Sequence, residues 1–236
     1  MEKIITCPNC QAQFDLSVSP TPEDNPGSKY LWILDNGHGG MVDGVYQTPG
    51  KRSPKWKDGT QYFEGEGNRC IVNTILKKCR ENNIIALDVV NDWQDVSLAT
   101  RVNRANTINS YHGNCIYISV HSNGFSQESA NGYSVYTSKG NTKSDQYAEI
   151  LLKYMQLEFP ESKLRQDTSD SDRDKEADFY VLSKTSMPAI LSENFFMTNK
   201  AECDMLLKKS VRDRIADCNF KLIKQIYKTN AKKQQK

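Results

Sequence analysis

The chain of 236 residues carries 31 basic and 29 acidic side chains, for a net charge of +2, with 37% hydrophobic and 25% charged residues. This balance excludes the broad basic surface of a nucleic-acid binder, and the apolar content excludes a disordered chain. No stretch approaches the roughly 20 uninterrupted apolar residues of a membrane span, and residues 1–8 lack the apolar run of a secretory signal. Cytoplasmic synthesis without a signal peptide and without membrane insertion is the expectation.

Seven cysteines lie scattered, several among apolar residues, as core fillers of a reducing compartment do. In chain order, residues 1–29 form an N-terminal segment: a Cys7-Pro8-Asn9-Cys10 knuckle and then a Ser/Pro/Asp/Gly-rich linker. The knuckle resembles half of a zinc ribbon, yet no second Cys-x-x-Cys closes a tetrahedral site. A core domain is expected over residues 30–227, with a basic, disordered tail at 228–236. Its first apolar run, 30–34, reads as a buried strand. Residues 41–64 read as a long loop in which Lys51, Arg52, Lys55 and Lys57 surround Trp56, expected to border a substrate cleft.

Ile71, Ile75, Leu76 and Cys79 then predict an amphipathic helix over 67–82, followed by a strand over 84–90. A helix over 98–111 leads into a buried strand at 115–120, and residues 132–137 offer a further strand. Residues 145–159 predict a helix closed by Pro160, and 161–178 an acid-rich surface loop. Residues 179–182 suggest a short edge strand, 188–191 a buried one, and 200–227 one or two helices. Apolar strands alternating with helices predict an α/β fold: a single domain with a mostly parallel twisted sheet flanked by helices on both faces.

In such sheets, functional side chains gather at the carboxyl ends of the strands. Three predicted strands end there in Asp35-Asn36-Gly37-His38, in His121-Ser122-Asn123 and in Ser192-Glu193-Asn194. The chain has only three histidines, and two of them fall on this edge. Two imidazoles and one carboxylate leave an open fourth position on a tetrahedral ion and suit Zn²⁺ better than Mg²⁺ or Ca²⁺. Glu66, just before the predicted helix, is the favoured carboxylate, and Glu64 competes with it. Each residue also has a plainer reading: a turn for His38, a hydrogen-bonded core histidine for His121, a helix-dipole partner for Glu66, and a cap for Glu193. Their convergence on one edge favours chemistry.

The ordered strings Ile33 to Gly40, then Glu66, then Ser97-Leu98 with Arg101 and Ala105-Asn106, then Ile118 to Asn123, and Pro188 to Phe195 with Asn199, resemble the zinc-dependent N-acetylmuramoyl-L-alanine amidases in their type 3 form. The resemblance spans residues 30–227. It implies His38, Glu66 and His121 as ligands of one catalytic Zn²⁺ and Glu193 as the catalytic carboxylate. It also implies peptidoglycan, both glycan strand and stem peptide, as the partner, cut at the amide between N-acetylmuramic acid and L-alanine. A zinc peptidase or deacylase on another amide, or a non-catalytic peptidoglycan-binding module, are the alternatives. With no secretory signal recognised, the expected role is that of an endolysin which reaches the wall after holin-type release.

Overall fold

A computed structural model describes residues 4–6, 13–15 and 30–234. The first two segments are β1 (Ile4–Thr6) and β2 (Gln13–Asp15), which pair antiparallel. Cys7 and Cys10 of the zinc-ribbon-like knuckle lie outside the described residues.

The body follows as β3 (Leu31–Asn36), a two-stranded hairpin of β4 (Met41–Val42) and β5 (Val45–Tyr46), α1 (Glu64–Glu81), β6 (Ala86–Asp88), α2 (Leu98–His112), β7 (Cys115–Asn123) and β8 (Ser134–Thr137). It continues with α3 (Asp145–Glu158), β9 (Lys175–Glu176), α4 (Tyr180–Ser183), β10 (Ala189–Phe196), α5 (Lys200–Leu207) and α6 (Lys209–Gln234). The main sheet has the order β6-β3-β7-β10-β8-β9. Its four strands from β6 to β10 are mutually parallel, and β8 runs antiparallel to β10.

Both faces of the sheet are covered, so the central strands are apolar without interruption. Along β3, Trp32 and Leu34 point into a cluster with Ile71, Ile75, Leu152 and Leu222, whereas Leu31 and Ile33 point into one with Val102, Ile108 and Leu191. Helices α1, α3, α5 and α6 thus cover one face, and α2 and α4 the other. Five cysteines are free among the described residues, four of them buried. No helix among the described residues is long and apolar enough to cross a membrane.

Three expectations are corrected. Residues 179–182 hold the short helix α4 in place of an edge strand: Val181 and Leu182 are neighbours and both buried, which one helical turn permits and an alternating strand does not. Helix α1 begins at Glu64, earlier than the residue 67 expected from its apolar spacing. The final helix also runs to Gln234, beyond residue 227.

Candidate metal centre

The carboxyl ends of β3, β7 and β10 meet at one crevice. Leaving β3, His38 adopts a left-handed backbone, φ 69°, between two glycines. A Cβ on Gly37 would overlap the His121 ring, so only glycine lets the two segments approach this closely. The His38 and His121 rings stand edge to face, centroids 4.8 Å apart at 87°.

The carboxylate between them comes from the first turn of α1. Phe63 precedes this helix and supplies no side-chain cap. The free amides are met from upstream: Glu64 N donates to Lys51 O at 3.0 Å, and Gly65 N donates to the Tyr46 hydroxyl at 2.8 Å. That hydroxyl in turn donates to Lys51 O at 2.8 Å. The hairpin loop thereby fixes the helix start and turns Glu64 inward. Glu64 Oε1 lies 3.0 Å from His121 Nδ1 and 3.3 Å from His38 Nε2, and accepts from Ser122 N at 3.1 Å.

Glu66, the carboxylate favoured from the sequence, does not join the histidines. Two residues on, it faces a different side of the helix, and its Oε1 accepts from Met41 N at 2.6 Å, tying β4 to α1. The group of ligand-type atoms within 4.8 Å of one another is His38, Glu64 and His121. Atoms held by one tetrahedral ion at about 2.0–2.1 Å lie roughly 3.3 Å apart, so two imidazole nitrogens and a carboxylate oxygen at these separations fit a zinc ion. His112 ends α2 and is not part of this group.

Electrostatics separates the carboxylates. Burial works to raise the Glu64 carboxyl, but hydrogen bonds from and charge on His121 and His38 override it and hold the group well below the usual carboxylate range. Glu193, in register with His121 across the β7 and β10 pair, has a buried Oε2 without a hydrogen-bond partner. Burial pushes its carboxyl up to about 7; His121 and Lys51 oppose the rise and Glu64 adds to it. Burial lowers His38, with Glu64 opposing. Burial also works against His121, whose contact with Glu64 raises it nonetheless.

Beneath the crevice, Arg101 forms a buried ion pair with Asp35, and its Nη1 donates to Asn36 O at 2.7 Å. Ser119 Oγ donates to Asp35 Oδ2 at 2.6 Å. The cleft that opens over His38 and His121, of about 390 Å³, is lined also by Lys51, Asp95, Ser97 and Leu98. Of the basic loop, Lys51 therefore reaches the cleft. Trp56 does not: it packs against the core, with its Nε1 donating to Cys203 Sγ at 3.2 Å. The sequence reading missed Asp95 as a lining residue; it follows β6 in a run without periodicity.

The chain matches the family model described as N-acetylmuramoyl-L-alanine amidase over residues 33–225. It is 28% identical over 200 residues to the endolysin of Bacillus phage SPP1, covering 80% of this chain and 63% of that protein. It is 27% identical over 197 residues to the N-acetylmuramoyl-L-alanine amidase LytC of Bacillus subtilis, covering 81% of this chain and 34% of that protein. The chain thus spans less than two thirds of either relative. Among solved structures, the N-acetylmuramoyl-L-alanine amidase from Clostridium difficile 630 superposes with a TM-score of 0.66 at 22% identity, covering 84% of this chain and 96% of that one.

Proposed function

The chain belongs to the N-acetylmuramoyl-L-alanine amidase family, and from that premise we propose that it is a zinc hydrolase of peptidoglycan that cuts the amide between N-acetylmuramic acid and L-alanine. The observation that carries this reading is the convergence of His38, Glu64 and His121 beside Glu193 at one sheet edge. His38, Glu64 and His121 would hold the ion through two nitrogens and one oxygen. A zinc ion held there would supply Lewis acidity, lowering the pKa of a water and polarising the scissile carbonyl.

Glu193 has the environment of a proton carrier. Its bare Oε2 accepts the proton of the attacking water and returns it to the leaving L-alanine nitrogen, for which a carboxyl near 7 is suited. Glu64, held ionised, keeps the ligand set anionic. Ser122 N and the loop that caps α1 keep its carboxylate in place, which limits the reorganisation needed during turnover. Lys51 at the cleft supplies positive charge toward the carboxylates of the stem peptide.

The similarity to a phage endolysin supports a lysin role within the same proposal, with release of the enzyme to the wall by a separate membrane-permeabilising protein. Purified peptidoglycan tests it: the protein should release stem peptides, a chelator should stop release, and added Zn²⁺ should restore it. Release unaffected by the chelator would remove zinc from the account.

A further inference from the structure

The large apolar side chains left exposed are not spread evenly. Val45 follows β3, Trp93 and Leu98 follow β6, and Phe125 follows β7, so all four lie on segments leaving the carboxyl edge that carries the cleft. Trp93 is the largest of them and is 52% exposed. A lone exposed apolar side chain is ordinary, whereas an indole fixed in the open beside a cleft presents a ready binding surface.

Trp93 is fixed by several contacts. Its carbonyl accepts from Gly40 N at 2.8 Å, and the Arg69 guanidinium lies over its ring, 5.4 Å from the centroid. Arg69 Nη1 donates to His38 O at 3.1 Å and Nη2 to Asp92 O at 2.6 Å, which ties the tryptophan segment to the one that carries His38. A Cβ on Gly40 would lie 2.5 Å from Trp93 Cε3, so the glycine lets the indole rest against this backbone. Among the described residues none accepts a hydrogen bond from its Nε1.

The charges nearby select the occupant. Two residues on, Asp95 lines the cleft, with its Oδ2 accepting from Thr48 Oγ1 at 2.7 Å, and Asp92 on the other side of Trp93 in the chain is exposed. An indole flanked by two carboxylates disfavours anionic groups and suits a neutral sugar, whose C–H face packs on the ring and whose hydroxyls donate to carboxylate oxygen. Lys51 enters the same cleft with the opposite sign. We propose that Trp93 binds the glycan strand: a neutral pyranose next to the scissile N-acetylmuramic acid stacks on its indole, and Asp95 accepts from a hydroxyl of that sugar. This rests on the reading of peptidoglycan as substrate. Binding energy gained away from the reacting amide then serves to hold that amide at the metal centre.

The test uses the full zinc-loaded chain and two readouts. The indole N–H signals of its three tryptophans are followed by NMR during titration with the tetramer of N-acetylglucosamine, which carries sugar and no stem peptide. The signal that disappears in Trp93→Leu should move at about 10 mM tetramer and stay still with stem peptide alone. In kinetics, kcat/KM on a muropeptide of several sugars is divided by kcat/KM on a single N-acetylmuramoyl peptide. That ratio should fall about tenfold in Trp93→Leu and at most about twofold in Trp93→Phe, which keeps a ring. Leucine still packs against Gly40, so a purely structural tryptophan would leave the ratio unchanged. If Trp93→Leu loses zinc, the wild-type titration, with Trp93→Phe for assignment, carries the test. A wild-type Trp93 signal unmoved by the tetramer, one moved by stem peptide alone, or an unchanged ratio in Trp93→Leu overturns the proposal. Tetramer binding at Trp93 in a chain that cleaves neither substrate would sink the amidase reading and leave the sugar platform standing.

Discussion

Two regions of the sheet bury carboxylates in opposite ways. At the ends of β3 and β7, Asp35 and Glu64 are surrounded by donors: Arg101 and Ser119 for the first, His38, His121 and Ser122 N for the second. On the side of β10, β8 and β9, Glu193 keeps a buried Oε2 without a donor and Asp174 meets the Asp172 carboxyl, and burial pushes both Glu193 and Asp174 up to about 7. The donors differ: several reach Asp35 and Glu64, and none reaches the buried Oε2 of Glu193. A buried carboxylate is held as a charge where donors gather on it, and is pushed toward its protonated form where a buried oxygen has none.

The comparison can be broken at its two ends. Glu193→Gln replaces the proposed proton carrier with a group of equal shape, so turnover should fall by about 10²–10⁴-fold while zinc content and Tm stay at wild-type values. Near wild-type turnover in that variant would remove Glu193 from the chemistry. Asp35→Asn leaves the buried Arg101 with only the more distant Asp95, at 3.7 Å, as counter-charge, and chemical denaturation should show a loss of about 3 kcal/mol.

The same pair fixes a pH sign. Burial works to raise Asp35, and Arg101, His121 and Ser119 lower it overall, so its folded value lies below its unfolded one. Its contribution is present above the unfolded value and is lost as pH falls toward the folded one. Acid unfolding of Asp35→Asn should accordingly be flatter than that of wild type over that range; parallel curves would contradict the sign.

Two substitutions on one helix turn sharpen the ligand assignment. Glu64→Ala removes a donor from the centre and should weaken zinc binding by at least the roughly 100-fold that altering even a partner of a ligand can cost. Glu66→Gln keeps an acceptor for Met41 N, so it should leave zinc content unchanged and cost at most about 1 kcal/mol. The reverse order in metal analysis would restore Glu66 to the centre.

The strands that carry His38, His121 and Glu193 are legible in the sequence because each is an apolar run ending abruptly in polar residues. Their meeting at one edge follows from parallel topology. The choice of Glu64 was not legible, because Phe63 gives no capping signal and the helix start is set by Lys51 O and the Tyr46 hydroxyl, contacts made through a distant hairpin. Trp56 misled in a related way: its lysine and arginine neighbours mark a surface loop, while the indole turns back under α5 to Cys203. β9 escaped notice because Lys175 and Glu176 carry no hydropathy signal; their place comes from backbone pairing with Tyr136 and Thr137.

The central claim is that the His38, Glu64 and His121 centre holds zinc for cleavage of one particular amide. Mass analysis of products from a defined muropeptide, with and without a chelator, tests it most directly. The account predicts free N-acetylmuramic acid glycan and an intact stem peptide beginning at a free L-alanine amine, both absent in chelator and restored by Zn²⁺. Cleavage within the stem peptide, or the same products at the same rate in chelator, would contradict it.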